Sequence, residues 1–268
     1  MSPIALTIAR PPAHRNAYNV LEGRMQDFPH AHAALFLDFD GTLVDIAERP
    51  EAVLVPPELP ALLERLSARL DGALAIVSGR PLAELDHFLP VAIAKAGNHG
   101  AALRMTPGGP VEQPVLPQVP AAWRARAEEF VASFPGAFVE EKAHGFALHY
   151  RQAPDAGGPA GALMESLVAE APAGFTLLPA HMAWEITPSG VSKGTVVSSL
   201  MARPPFAGRL PVFVGDDVTD EAGMAVARAT GGLGLRLQDR FGTPAVFRDW
   251  LAALDHRFEQ APDKGFAA

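Results

Sequence analysis

Four short stretches of the chain carry residue types that can do chemistry. Asp38-Phe39-Asp40-Gly41-Thr42 sets two carboxylates close together, Ser78-Gly79-Arg80 offers a hydroxyl, Lys193 an ammonium, and Gly215-Asp216-Asp217 two more carboxylates. Singly, each has an ordinary reading. An aspartate after a strand usually forms a turn or caps a helix, Ser78-Gly79-Arg80 is a routine strand-to-helix turn, and a lone lysine usually lies in solvent. Spaced acids also open calcium loops, but here the later Glu is missing at the required spacing and a strand, not a helix, precedes them. The joint arrangement is harder to dismiss. Asp38 and Asp40 follow Ala33-Ala34-Leu35-Phe36-Leu37, a run too apolar for a surface element, and Asp216 and Asp217 follow Pro211-Val212-Phe213-Val214. In open α/β sheets the carboxyl ends of the strands form the edge where ligands bind. Two carboxylate pairs at one such edge repel unless a divalent cation with oxygen ligands sits between them, and in a phosphate-handling site that cation is Mg²⁺.

The elements that must position these residues alternate. After the strand at 33–37 comes a helix over Glu58–Leu70, with Leu59, Leu62, Leu63, Leu66 and Leu70 on one face. A strand over Ala73–Val77, a helix from Pro81 to about Phe88 and a strand over Ala92–Ala96 follow. Strand, helix, strand, helix predicts a parallel sheet. Residues 105–120 are rich in proline and glycine and read as a linker. Beyond it the texture changes to helices at 121–134 and 158–170 and strands at 137–142, 146–151, near 176–178 and at 183–186. The first pattern resumes with a helix opened by Ser192-Lys193-Gly194. The expected fold class is α/β: a Rossmann-like core with a mainly parallel sheet over about 31–104 and 191–268, an inserted α+β cap over about 105–190, and a leader over 1–30.

Bulk properties exclude several classes. The 268 residues are 49% hydrophobic and 19% charged, which is globular composition. A formal net charge of -8, with no basic stripe, argues against a nucleic-acid partner. There is no cysteine, hence no disulfide or thiolate metal site, which fits a reducing compartment. No apolar run reaches the roughly 18 residues that span a bilayer, and Met1–Leu6 lacks the layout of a secretory signal. A cytoplasmic protein without a membrane partner is expected.

The order of the motifs resembles the haloacid dehalogenase superfamily of phosphotransferases: Leu35–Leu43 as its first motif, Val77-Ser78-Gly79-Arg80 as its second, Lys193 as its third and Gly215-Asp216-Asp217 as its fourth. Within it, the chain is most similar to trehalose-6-phosphate phosphatases. The run Asp216-Asp217-Val218-Thr219-Asp220-Glu221 has their form of the fourth motif, where sucrose-phosphatase types tend to carry Gly-Asp-Ser-x-Asn-Asp. Gly97-Asn98-His99-Gly100, Glu140-Glu141-Lys142, Leu148-His149-Tyr150-Arg151 and Trp184-Glu185-Ile186-x-Pro188 match as well, and Ser189 departs from a position that is often basic.

The resemblance implies a phosphoric monoester hydrolase acting on a small sugar phosphate. Asp38 would be the nucleophile and Asp40 the proton donor and acceptor. A carboxylate oxygen of Asp38, the backbone carbonyl of Asp40, and Asp216 would hold Mg²⁺, with Asp217 and Asp220 behind them. Lys193, Ser78 and Gly79 would bind the phosphate. Asn98, His99, Glu140, Lys142, Arg151 and Glu185 would read the sugar. A functional link to a trehalose-6-phosphate synthase is a further expectation. The alternatives are a sucrose-6-phosphate or glucosylglycerol-phosphate phosphatase, or a non-catalytic binding module; the last should have lost Asp38, Asp40, Lys193 or Asp216, and all are present. The cap reading also demands a register. A three-residue hairpin loop at 143–145 puts Arg151 on the face opposite Glu140 and Lys142, whereas a four-residue loop at 143–146 unites them.

Overall fold

The computed structural model describes residues 32–260 apart from 48, 107, 143 and 181, so the leader expected over 1–30 lies outside the described residues. In chain order, the first part contains β1 (Ala33–Leu37), α1 (Leu59–Arg69), β2 (Leu74–Val77), α2 (Leu82–Phe88), β3 (Ala94–Gly97) and β4 (Ala102–Arg104). There follow α3 (Ala121–Ala132), β5 (Phe138–Glu141), β6 (Phe146–His149), α4 (Gly157–Ala169), β7 (Phe175–Ala180) and β8 (Ala183–Pro188). The last part is α5 (Lys193–Met201), β9 (Leu210–Gly215), α6 (Glu221–Ala229), β10 (Leu233–Arg236), α7 (Leu237–Arg240) and α8 (Pro244–Gln260).

The larger sheet has the order β10-β9-β1-β2-β3-β4 and is parallel except for β4, which runs antiparallel beside β3. β1, β2 and β3 are buried throughout, because a parallel sheet is covered on both faces and its strands read as continuous apolar runs. The chain moves from β1 to β2 and β3 on one side, then returns to β9 and β10 on the other. The switch point therefore lies between β1 and β9, where a crevice opens at the carboxyl ends. β4 falls just before the expected linker, and a bridge between Leu103 and Glu112 ties that linker back to the sheet edge. Three residues with no period-two alternation left no strand signal there.

α1 shows why the helices form where they do. Leu59, Leu62, Leu63 and Leu66 recur at helical spacing and are all buried, so their burial more than offsets the proline in the first turn, where it is tolerated. Asp71 (φ 51°) and Gly72 (φ 87°) then turn left-handed and end the helix, with the Gly72 N–H donating to the Ser67 carbonyl at 2.8 Å.

The second sheet is antiparallel, in the order β5-β6-β8-β7. Its pairings place Val139, Leu148, Phe146 and Ile186 on one face. That face packs with Trp123 and Ala127 of α3 and with Ala160, Met164 and Leu167 of α4 into a core separate from that of the larger sheet. The opposite face carries Phe138, Glu140, His149 and Glu185. Among the described residues no helix is long and apolar enough to cross a membrane.

Close packing of α6 on β9 sets a discriminating test. Gly223 lies inside α6, and a Cβ there would run into the Phe213 ring. Helix propensity favours Gly223→Ala by about 1 kcal/mol, whereas overpacking costs about 1–3 kcal/mol. The collision wins, and the urea midpoint of Gly223→Ala falls; a raised midpoint would show that the α6–β9 spacing is adjustable.

Candidate active site

Four strand ends converge at one edge. Asp38 follows β1, and its N–H donates to the Val214 carbonyl of β9 at 3.0 Å, so the first acid is tied to the strand that delivers Asp216. The Ser78 N–H donates to Ala96 at 2.9 Å, while the His99 and Asn98 N–H groups donate to the carbonyls of Ser78 (3.0 Å) and Arg80 (2.9 Å). The turns after β2 and β3 thus hold each other. Two glycines are dictated by contact. Gly41 is left-handed (φ 75°), and a Cβ on it would land on the Asp216 carboxylate. A Cβ on Gly79 would lie 2.6 Å from His99 Cε1.

Charge is concentrated at the centre. Lys193 is the first residue of α5, set by a capping box in which Ser192 Oγ accepts from the Thr195 N–H (3.1 Å) and Thr195 Oγ1 from the Ser192 N–H (3.0 Å). Its ammonium is 3% exposed and donates to Asp38 Oδ1 at 2.7 Å and Asp220 Oδ1 at 2.6 Å. Asp38 is 4% exposed and Asp220 is fully buried. Burial raises the Asp38 carboxyl well above its usual range; Lys193 opposes this, while Asp220 and Asp216 add to it. Burial would lower Lys193, but Asp38 and Asp220 outweigh it and raise it.

Carboxylate oxygens of Asp38, Asp216 and Asp220 lie within 4.8 Å of one another. Three acids against one ammonium leave an excess of negative charge that suits a divalent cation. Asp220 has little left to offer it. Its Oδ1 is taken by Lys193, and its Oδ2 accepts the N–H groups of Asp216 and Asp217, both at 3.0 Å. Asp38 and Asp216 keep free lone pairs. The Thr42 hydroxyl lies 3.3 Å from Asp38 Oδ2 and 3.2 Å from Asp216 Oδ1, and its single proton serves one at a time. Asp217 is exposed and accepts from the Val218 N–H at 2.7 Å, capping the turn that carries Asp220.

Asp40 faces away from this cluster. Arg80 grips it with Nε–Oδ2 at 2.6 Å and Nη2–Oδ1 at 2.8 Å, and also donates to Glu84 Oε2 at 2.9 Å. The guanidinium is buried over the rings of Phe39 and Phe88, 5.6 and 5.0 Å from their centroids. Arg80 stands in the second motif, yet its type alone did not single it out. A planar fork two residues after Ser78 is the signal, since it matches a carboxylate in two bonds.

The cap sheet supplies the roof. Its hairpin pairs Glu140 with Ala147 and Glu141 with Phe146, and the Lys142 N–H donates to Gly145 at 3.2 Å. The loop is therefore two residues, 143–144, and neither of the registers expected from sequence. It differs from the four-residue register by two positions, so the parity is the same and Glu140 and Lys142 share the face that carries His149; β6 ends at His149, and Arg151 lies in the turn beyond it and lines the cleft. Ala147 in turn pairs with Glu185, placing Glu140 and Glu185 on either side of one small residue. Glu140 accepts from Lys142 Nζ and pairs with His149 Nε2, both at 2.7 Å. Burial would raise Glu140, but Lys142 and His149 bring it below its usual value; Glu185, buried without such partners, is raised. His149 is the cap residue that sequence reading passed over.

All the residues singled out from sequence line one cleft of about 1120 Å³, from Asp38, Asp40, Ser78, Gly79, Asn98, His99, Lys193, Asp216 and Asp217 below to Glu140, Lys142, Arg151 and Glu185 above; the exception is Asp220, which is buried behind it. That volume accommodates a ligand larger than a monosaccharide phosphate.

The chain is similar to several known proteins. The family model described as trehalose-phosphatase matches residues 36–241. A probable trehalose-phosphate phosphatase of Sinorhizobium fredii is 42% identical over 222 residues, 82% of each chain. The trehalose-6-phosphate phosphatase of Escherichia coli is 37% identical over 224 residues, 83% of this chain and 82% of that one. The C-terminal domain of C. albicans trehalose-6-phosphate phosphatase shares the fold at TM-score 0.67 and 20% identity, over 90% of this chain and 97% of that one.

His99 provides a pH test. Burial, with Lys193 and Lys142 nearby, lowers its ring from 6.5 to about 4. Its Nε2 lies 4.0 Å from Glu185 Oε1, and a neutral ring makes this a polar contact and not an ion pair. Between pH 6.5 and about 4 the unfolded chain binds a proton that the folded chain refuses, so stability falls as pH drops through that window. The His99 ring signal followed by NMR should show its inflection near pH 4, with none near 6.5.

Proposed function

Because the chain belongs to the trehalose-phosphatase family, we propose that it hydrolyses trehalose 6-phosphate to trehalose and phosphate through a phosphoryl group carried on Asp38. The observation that carries this reading is a single cleft in which a buried, lysine-bound carboxylate lies under a cap face bearing Glu140, Lys142 and Glu185.

Each residue's part follows from its surroundings. Asp38 Oδ1 is held by Lys193, which leaves Oδ2 as the attacking atom. Attack on phosphorus breaks the bond to the sugar oxygen, and Asp40 gives that oxygen its proton. Asp40 then takes a proton from the water that attacks the acyl phosphate, which restores Asp38 and releases phosphate. To do either, the Asp40 side chain must turn out of the grip of Arg80, so the pair in this structure is the resting arrangement. Ser78 Oγ accepts from the Arg80 N–H at 3.2 Å, which leaves its own hydroxyl proton to donate to a phosphate oxygen, beside the Lys193 ammonium. Asp38, Asp216 and the Asp40 carbonyl would hold Mg²⁺, with Asp220 and Asp217 fixing the loop behind. When bound, the cation neutralises charge on the transferring phosphoryl group.

Above the phosphate, Glu140, Lys142, Arg151, Glu185, Asn98 and His99 would hydrogen-bond sugar hydroxyls. Built this way, a site rejects analogues that lack those hydroxyls. The substrate is a small soluble sugar phosphate, and a trehalose-6-phosphate synthase is the enzyme class that supplies it.

Phosphate release measured on trehalose 6-phosphate beside sucrose 6-phosphate and glucosylglycerol phosphate tests the substrate; equal rates on all three overturn it. Asp38→Asn keeps the fold and loses turnover by at least about a hundredfold, as expected when a nucleophile's charge is removed, and excess chelator abolishes activity until Mg²⁺ is returned. Activity that survives either treatment counts against the mechanism. Glu140→Ala and Arg151→Ala should each lower kcat/KM on trehalose 6-phosphate roughly ten- to a hundredfold, the scale of one lost charged hydrogen bond, while leaving a small aryl phosphate nearly unaffected. Equal losses on both substrates would assign these side chains to cap folding.

A further inference from the structure

Phe138 opens β5 on the cleft side of the cap sheet and is 52% exposed, whereas Val139, Phe146, Leu148, Phe175 and Ile186 of this sheet are packed against α3 and α4. Its ring is not loose. It pairs across the hairpin with His149, and the two rings stack with centroids 4.6 Å apart at 11°. His149 is itself anchored through Nε2 to Glu140 Oε2 at 2.7 Å. An aromatic face is thus presented to the cleft, locked to the same carboxylate that the sugar-reading face uses.

Its position along the strand gives it a distance to measure. The Lys142 and Glu185 end of the cap face lies near the catalytic floor: Glu185 is 4.0 Å from His99, and Lys142 acts on the His99 ring. Phe138 lies four residues back along the same strand from Lys142, about 13 Å at strand rise. A phosphoryl group seated on Asp38 and Lys193 would bring the first ring of a disaccharide under Lys142 and Glu185, and the second ring further along the cleft toward Phe138. One side of a glucopyranose ring presents axial C–H bonds. These are apolar and carry slight positive charge, and they complement the negative face of a π-system.

We infer that the stacked Phe138–His149 pair is the platform for the second, non-phosphorylated sugar ring, and that it makes the enzyme selective for a disaccharide phosphate over a monosaccharide phosphate. This rests on the trehalose-6-phosphate reading above. Phe138 is the contact; His149 is the positioning residue that holds its ring.

The test compares trehalose 6-phosphate with glucose 6-phosphate, which has the same phosphorylated ring and lacks the second. In Phe138→Ala the KM for trehalose 6-phosphate rises about threefold to tenfold, the size of one aromatic contact, and kcat stays within about twofold. Kinetics on glucose 6-phosphate do not change. Inhibition by trehalose weakens by the same factor as KM rises. Phe138→Trp keeps KM near wild type, whereas Phe138→Leu, apolar but without a π face, behaves like Phe138→Ala. An unchanged KM in Phe138→Ala, equal losses on both substrates, or a Phe138→Leu enzyme as good as wild type would overturn the platform. Since the ring is half exposed, thermal midpoints should match and folding should not confound the comparison. A wild-type enzyme with no preference for trehalose 6-phosphate over glucose 6-phosphate would overturn the function itself; a preference undiminished in Phe138→Ala would overturn the platform alone.

Discussion

Everything at the strand edge depends on one buried ammonium. Lys193 is shared by Asp38 and Asp220, all three are essentially excluded from water, and the two acids come from opposite sides of the sheet's switch point. Taking a charge out of water costs several kcal/mol, which only close pairing and satisfied hydrogen bonds offset. Asp220 shows how complete the satisfaction is, since both its oxygens are occupied by Lys193 and by the backbone of the loop that presents Asp216. Removing either acid would leave the ammonium half-paired, and removing the ammonium would leave two buried carboxylates facing each other. The device that holds Asp38 is therefore also part of what holds the core to the α5–α6 layer.

The balance is deliberately incomplete. Lys193 serves two acids, and Asp216 adds a third, so the site is short of positive charge. The same crowding that raises Asp38 is what a cation and a phosphoryl group together would relieve, because the cation offsets the acids and the ammonium can turn toward phosphate oxygens. Gly41 belongs to this economy of space: a side chain there would occupy the position of the Asp216 carboxylate. Arg80 gives the two acids of the first motif different partners. It ties up both oxygens of Asp40 while Asp38 is held by Lys193, so two aspartates two residues apart experience different partners and can do different work.

Much of this was legible in the sequence because the signals were local and repeated. Runs such as Ala33–Leu37 read as buried strands, and acids at the ends of several such runs must meet at one edge once the strands are parallel. What could not be read depended on non-local pairing. β4 is three residues long, and its partner in the bridge at Glu112 lies within a proline-rich stretch, so no periodicity marked either. The hairpin register is not legible in the sequence, since Gly145 lies against a distant strand: a Cβ there would strike the Ile186 carbonyl of β8, about forty residues later. Parity is the same as in the four-residue register, which is why Glu140 shares a face with His149 and Glu185. Arg80 and His149 stand within motifs, yet their surroundings come from Asp40, forty residues away, and from Glu140, nine residues away across a hairpin whose register spacing does not fix.

The cap shows how one short sheet does two jobs through its period of two. Val139, Phe146, Leu148 and Ile186 point to the helices and supply the apolar burial without which four strands would not stand. Glu140, His149 and Glu185, one position out of phase, are held by the same backbone hydrogen bonds but contribute little apolar area. Because the backbone is fixed from the far side, the cleft face is free to carry buried and half-buried charge: Glu185, which burial makes a weaker acid than usual, and Glu140 with its lysine and histidine partners. Ala147 is the point where the two requirements meet. It sits between Glu140 and Glu185 on the cleft face, and a larger residue there would separate the carboxylates or fill the space above the phosphate. The small side chain is kept for what must lie over it, which makes the roof of the site a consequence of strand pairing and not of loop placement.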